Sequence, residues 1–282
     1  MSQTAIHSLL LLLVLIVGIT FPLSSQIHST LKGLTVFDDP ASANGARWTY
    51  KDTVENIEYD LTGILFMPSG PGPFPAVILS HGGGDNVSGA PVVWAKSMVQ
   101  WGCVCIAVNY SFSSGVPKGA PGVQGQKNLR SMNILRAHKC RDILASFSCV
   151  DTNRIAAHGF SMGAFTTDGL VGMYPLQFKA ASHAGGGLGA PASATQLRQT
   201  NNIVTPFQIH HGVQDTIILF ESAMRFDSIL QANKVPHQLY SYPNYGHMEL
   251  MQDSVMLERI KAWYTQYGLF DAKSARKDDR NK

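Results

Sequence analysis

Three residues able to act together occur in a telling order. Each stands just past an apolar run: Ser161 in Gly159-Phe160-Ser161-Met162-Gly163, Asp215 in His210-His211-Gly212-Val213-Gln214-Asp215, and His247 in Tyr242-Pro243-Asn244-Tyr245-Gly246-His247. A serine hydroxyl is a poor nucleophile at neutral pH unless a base takes its proton. Histidine has the side chain suited to that task. A carboxylate then fixes the histidine tautomer and stabilises the imidazolium. The G-x-S-x-G spacing at 159–163 predicts a strand, a tight turn with the serine at its tip, and a helix beginning beneath it. Glycines at both flanks remove side chains that would meet the neighbouring strand and helix. The negative oxygen of a tetrahedral intermediate also needs donors. The backbone N–H of Met162 is one candidate. The second is expected from His81-Gly82-Gly83-Gly84, with Gly83 first and Gly82 next, because bare backbone there can approach a substrate. His81 is expected to hold that loop through its ring nitrogens.

Other acids and histidines fit less well. Asp168 falls in the helix after the turn, and Asp227 and Asp253 fall inside helical patterns. His183 precedes the acid in the chain, His210 and His211 read as strand-end residues, and His237 opens a strand. The triglycine at 82–84 is not followed by Lys-Ser/Thr, which argues against a phosphate cradle. The four cysteines form no C-x-x-C pair, so no metal or redox motif is indicated.

The elements that must position these residues alternate. Short apolar runs at 75–80, 103–108, 154–158, 178–182, 204–211 and 237–242 read as strands buried on both faces. Between them lie helical patterns: Pro91–Trp101 with Trp94, Met98 and Trp101 on one face, then Ile134, Ala137, Cys140, Leu144 and Phe147, then Leu219, Ala223, Phe226 and Leu230, and last Met256, Ile260, Trp263, Tyr264 and Tyr267. Trp48, Tyr50, Val54, Ile57 and Tyr59 suggest antiparallel strands at the start. The alternation predicts an α/β fold with a mainly parallel central sheet and helices on both faces, occupying residues 27–270 as one domain. Ser111–Gly125 reads as an irregular loop, and the small-residue stretch 185–202 as at most a modest cap. Both are expected to supply pocket walls.

The ends differ from the body. The apolar block from Leu9 to Ile19, extending to Leu23, is shorter than a full membrane span, so residues 1–25 read as a signal peptide, with an uncleaved N-terminal membrane anchor as the alternative. Either reading puts the body outside the cytoplasm, exported or tethered to the membrane through residues 9–23. Residues 271–282 form a charged tail. The formal net charge of +3 rests largely on that tail, and no basic stripe interleaved with aromatics points to nucleic acid. Cys103 and Cys105 lie too far apart along a strand to pair. A Cys140–Cys149 bridge is open in an oxidising compartment, with buried free thiols as the other reading.

Taken together, P-A-V-I-L-S-H-G-G-G, D-T-N-R-I-A-A-H-G-F-S-M-G-A, H-H-G-V-Q-D and Y-P-N-Y-G-H resemble the α/β-hydrolase superfamily, and within it the dienelactone hydrolase-like branch, from about Tyr59 to Tyr267. The resemblance implies hydrolysis of a small-molecule carboxylic ester through an acyl-enzyme, with no metal and no organic cofactor. The chain departs from dienelactone hydrolases at the turn, where they carry cysteine and this chain has Ser161, which favours an ordinary ester over a dienelactone. A serine peptidase or acyl-peptide hydrolase would use the same three residues, although such enzymes usually add a propeller or large cap. A non-catalytic, hydrolase-like binding protein is the third reading.

Overall fold

The computed structural model describes residues 29–39, 45–54, 57–83, 87–110 and 126–271. The expectations for the N-terminal segment 1–25, for Gly84, for the loop 111–125 and for the tail beyond 271 lie outside these residues.

Among the described residues, nine strands form one sheet: β1 (Thr35–Asp38), β2 (Gly45–Val54), β3 (Ile57–Phe66), β4 (Phe74–Ser80), β5 (Val104–Val108), β6 (Val150–Phe160), β7 (Ala180–Ala184), β8 (Phe207–Gly212) and β9 (His237–Tyr242). Their spatial order is β1-β2-β3-β5-β4-β6-β7-β8-β9. The first three strands are antiparallel to their neighbours, and β5, β4, β6, β7, β8 and β9 run parallel. Six helices accompany them: α1 (Ala90–Gln100), α2 (Gln126–Ala145), α3 (Met162–Met173), α4 (Ala194–Asn201), α5 (Phe220–Ala232) and α6 (Ser254–Gln266), with a short 3-10 helix at Glu249–Gln252.

The strand period of two divides the core. Ile78, Ile106, Ile155 and Ala157 face one layer, with Ile143, Leu170, Phe226 and Leu230 of α2, α3 and α5. Val77, Leu79, Cys105 and Ala156 face the other, with Trp94 and Met98 of α1 and Met256, Ile260 and Tyr264 of α6. Burial on both faces explains why the central strands read as unbroken apolar runs. Among the described residues, no helix is long and apolar enough to cross a membrane.

Several boundaries differ from the sequence reading. β6 begins at Val150, ahead of the expected run 154–158, and carries polar Asp151, Thr152 and Asn153; the register with β4 shifts between Phe74 and Ala76 to accommodate them. The stretch 185–202 contains helix α4, held at its start by a reciprocal cap between Ser193 and Gln196. Asp253 is the N-cap of α6, accepting from Met256 N, and not an interior residue. Trp101 is half-buried at the C-cap of α1, and Gly102 ends that helix at φ +85°. All four cysteines are free thiols, so residues 140 and 149 form no bridge. Burial pushes the Cys140 thiol well above its ordinary value.

Candidate active site

Ser161 occupies the turn between β6 and α3 at φ 54°, ψ −117°, a region costly for a residue with a side chain. Its neighbours hold it there. A Cβ on Gly159 would run into the Gly163 carbonyl and would lie 2.6 Å from Thr167 Oγ1. A Cβ on Gly163 would strike the Ser80 carbonyl at the end of β4 and meet the His81 carbonyl at 2.7 Å. Thus β6, α3 and the end of β4 come together around the turn only because residues 159 and 163 are glycine. Ser161 N donates to Ala184 O at 3.0 Å, which ties the turn to β7.

Asp215 and His247 arrive from the carboxyl ends of β8 and β9. Ile217 N and Ile218 N donate to Asp215 Oδ1 at 2.8 and 2.9 Å, which fixes the carboxylate within its own loop. Its other oxygen, Oδ2, accepts from His247 Nδ1 at 2.6 Å. With that proton placed, His247 Nε2 is the acceptor, and it stands 2.9 Å from Ser161 Oγ. His211 also approaches Asp215 Oδ2, at 3.4 Å, while its Nε2–H donates to Ile218 O at 2.8 Å. Burial holds the His211 pKa below its ordinary value, so it remains neutral and does not compete as a cation for the carboxylate.

Two glycines and an aromatic ring make room for His247. Phe160 lies beside its ring, with centroids 4.8 Å apart. Gly185, at φ +60° after β7, leaves the space a Cβ would take from His247 Cε1, 3.2 Å away. Gly212 sits under the loop leading to His247: a Cβ there would strike the carbonyls of Tyr245 and Gly246.

These residues open onto a cavity of about 420 Å³ lined by Gly82, Gly83, Phe160, Ser161, Ile217, His247, Met248 and Met251. A Cβ on Gly82 would lie 3.5 Å from Ser161 Cβ, and one on Gly83 would lie 3.9 Å from Met162 Cβ. The structure therefore brings both candidate glycines beside the serine turn and the start of α3, where the first N–H groups of a helix lack intrahelical acceptors. His81 holds the glycine loop from beneath: Nδ1–H donates to Gly82 O at 2.9 Å and Nε2 accepts from Tyr110 N at 3.2 Å. Among the described residues the wall side chains are not those expected of 185–202, and the loop 111–125 lies outside those residues. The lining takes Ile217 from the acid loop and Met248 and Met251 from beyond His247, and none from 185–202. Trp94 Nε1 donates to Met251 O at 3.0 Å and fixes that wall to α1.

The histidines set aside on sequence grounds have other partners. His183 Nδ1 pairs with Asp168 Oδ1 at 2.6 Å, joining β7 to α3 under the turn. His158 Nδ1 meets Ser182 Oγ at 2.8 Å, and Ser182 Oγ meets Tyr264 OH, which donates to Ala157 O. His210 bridges Tyr242 OH and Gln208 Oε1. Burial depresses both pKa values, that of His158 to about 3 and that of His210 well below the ordinary value. Among the described residues no group of three or more His, Cys, Asp or Glu side chains could hold a metal ion.

Comparison with known proteins follows the same lines. The model of the dienelactone hydrolase family matches residues 117–268. The human acylamino-acid-releasing enzyme is 23% identical over 251 residues, covering 72% of this chain and 34% of that protein, so the chain spans about a third of that relative's length. The structure of an S-formylglutathione hydrolase from Agrobacterium tumefaciens superposes with a TM-score of 0.65 at 14% identity, covering 83% of this chain and 99% of that one. A puromycin-hydrolyzing peptidase of Mycobacterium tuberculosis superposes with a TM-score of 0.60 at 18% identity, covering 79% and 40%. At these identities the structural likeness establishes the shared α/β-hydrolase fold.

Proposed function

The chain belongs to the dienelactone hydrolase family, and from that premise we propose that it hydrolyses carboxylic esters with Ser161 as nucleophile, His247 as base and Asp215 as the acid partner. One observation carries the reading: a single imidazole lies within hydrogen-bond reach of both the hydroxyl and the carboxylate, 2.9 and 2.6 Å away.

The chemistry follows from the protonation pattern. Ser161 Oγ adds to the ester carbonyl while its proton passes to His247 Nε2. The carbonyl oxygen takes the negative charge and is met by the backbone N–H groups of Met162 and Gly83, with Gly82 as the alternative to Gly83. The new imidazolium, braced through Nδ1 by Asp215, gives its proton to the leaving alcohol as the C–O bond breaks. Water then adds to the acyl-serine, His247 removes its proton, and return of that proton to Ser161 frees the acid. Loss of one oxyanion donor in such sites costs on the order of 10²- to 10³-fold in turnover.

The lining supports an uncharged, apolar substrate group. Beyond the reacting residues, the cavity presents Phe160, Ile217, Met248 and Met251. Peptide-bond cleavage is the second reading, favoured by the likeness to the acylamino-acid-releasing enzyme. A fluorophosphonate probe, followed by a chain-length series of p-nitrophenyl esters run beside an acetylated sugar and a peptide amide, tests both. Labelling at Ser161 with turnover of the esters supports the proposal, and turnover of the amide alone favours the peptidase. Folded protein that takes up no label and turns over neither would be a binding protein. Export or membrane tethering through residues 9–23 stays part of the proposal, and cell fractionation with N-terminal sequencing tests it.

A further inference from the structure

The opposite end of the strands carries a second cavity, of about 340 Å³, at the amino ends of β6, β7 and β8. The proposed chemistry leaves this end unused. Its lining includes Arg141 of α2, Thr152 and Asn153 of β6, Gln177 and Lys179 before β7, and Thr205 before β8, with no aspartate or glutamate. Two buried polar atoms here have no protein partner: Arg141 Nε, and Oγ1 of Thr205, a residue only 2% exposed. A buried donor without a partner calls for a ligand or a water.

The surroundings decide the sign of the ligand. The nearby carboxylates are already engaged, Asp142 with Lys139 at 2.8 Å and Asp151 with Arg154 at 2.7 Å. Arg141 and Lys179 form no ion pair with any described residue. His138 Nε2–H donates to Gln177 Oε1 at 3.1 Å, which leaves the Gln177 amide N–H₂ as the end able to serve a ligand. The set is thus a guanidinium, an ammonium, a hydroxyl and amide donors, the combination that suits a phosphate-type oxyanion. The cavity exceeds what a bare oxyanion fills, and Phe178, Val204 and Pro206 border the remainder with apolar surface.

We propose that this cavity is a binding site for a small organic phosphate, separate from the ester site and placed at the amino ends of the parallel strands, opposite the carboxyl ends that carry Ser161, Asp215 and His247. Isothermal titration calorimetry of the full chain with phenyl phosphate and with inorganic phosphate, at constant ionic strength, tests it. Saturable binding of one equivalent is expected for both, tighter for phenyl phosphate. Arg141→Gln should weaken it at least tenfold and Lys179→Gln severalfold, whereas Ser161→Ala should leave it unchanged. Lys179 is exposed, so its variant tests the site even if Arg141→Gln fails to fold. Heats that do not saturate would mean that water alone fills the cavity. Affinity unchanged in the basic-residue variants, or lost in Ser161→Ala, would place any binding elsewhere and overturn the assignment.

Discussion

Gly185 and His247 are in direct steric register: a Cβ at position 185 would stand 3.2 Å from His247 Cε1 and 3.3 Å from Nδ1. The glycine is also at φ +60°, where an L-residue is strained by about 1–2 kcal/mol. Gly185→Ala should therefore combine a modest loss of thermal stability with a fall in kcat of about ten- to a hundredfold, the scale expected when a reacting group is displaced by about 1 Å. Steady-state kinetics beside a melting curve checks this. A variant that melts lower but turns over at the parent rate would show that the ring has space to spare.

Asp215→Asn tests the brace. Oδ1 must keep accepting from Ile217 N and Ile218 N, so the amide oxygen takes that place and the amide N–H₂ turns toward His247 Nδ1. That forces the proton to Nε2, the wrong tautomer for a base. Turnover should fall on the order of 10⁴-fold with the fold intact. Ser161→Ala should cost on the order of 10⁶-fold. Parent-like turnover in either variant would remove that residue from the mechanism.

Acid sensitivity should come from histidines outside the site. His158 is neutral in the folded protein, with a pKa lowered to about 3 from 6.5, chiefly by burial, and His210 is lowered well below the same value for the same reason. The unfolded chain therefore takes up protons first. The stability these groups allow is fully present above about pH 6.5 and is lost as the pH falls below it, for His158 down to about pH 3. The slope is at most about 1.4 kcal/mol per pH unit for each. Urea midpoints measured between pH 7.5 and 5, above the carboxylate range, should hold level down to about pH 6.5 and fall below it, and a flat profile across the whole range would contradict the assignment.

The wall should set chain-length preference. Ile217 is 65% exposed and Met248 56%, so both can be changed without opening the core. Met248→Ser should lower kcat/KM for longer acyl esters by about threefold to tenfold relative to acetate, since each methylene buried against apolar surface contributes about 0.8 kcal/mol. An unchanged chain-length profile would mean that acyl groups leave the site by another side.

Much of this was legible in the residues, because the chemistry constrains local spacing. A nucleophile at a strand-to-helix turn needs glycines at its flanks, and an acid and a base just past later strands need only short loops. The convergence of Ser161, Asp215 and His247 is readable for that reason, as is the alternation of elements around them. Gly185 was not, since its neighbour His247 is 62 positions away and only the adjacency of β7, β8 and β9 brings them together. The walls at 217, 248 and 251 escaped notice for a similar reason: they follow Asp215 and His247 closely in the chain, and the small-residue stretch 185–202 supplies none of the described lining. The Asp168–His183 pair shows the converse. It matches the Asp215–His247 contact in length, and what distinguishes it is the absence of a serine at its far side. Helix α4 had a readable start, Ser193 with Gln196 three residues on, in a stretch whose small residues drew the eye to a loop.

Asp215 and Ile217 share one tight loop, the acid accepting a hydrogen bond from the very residue whose side chain borders the cavity. Under the proposed mechanism, selectivity and turnover are thereby bound together on that side of the mouth. A lineage or a laboratory selection adapting this enzyme to a new acyl group would find position 217 a risky place to explore and would drift instead at 248 and 251, where a side chain can change without disturbing the brace.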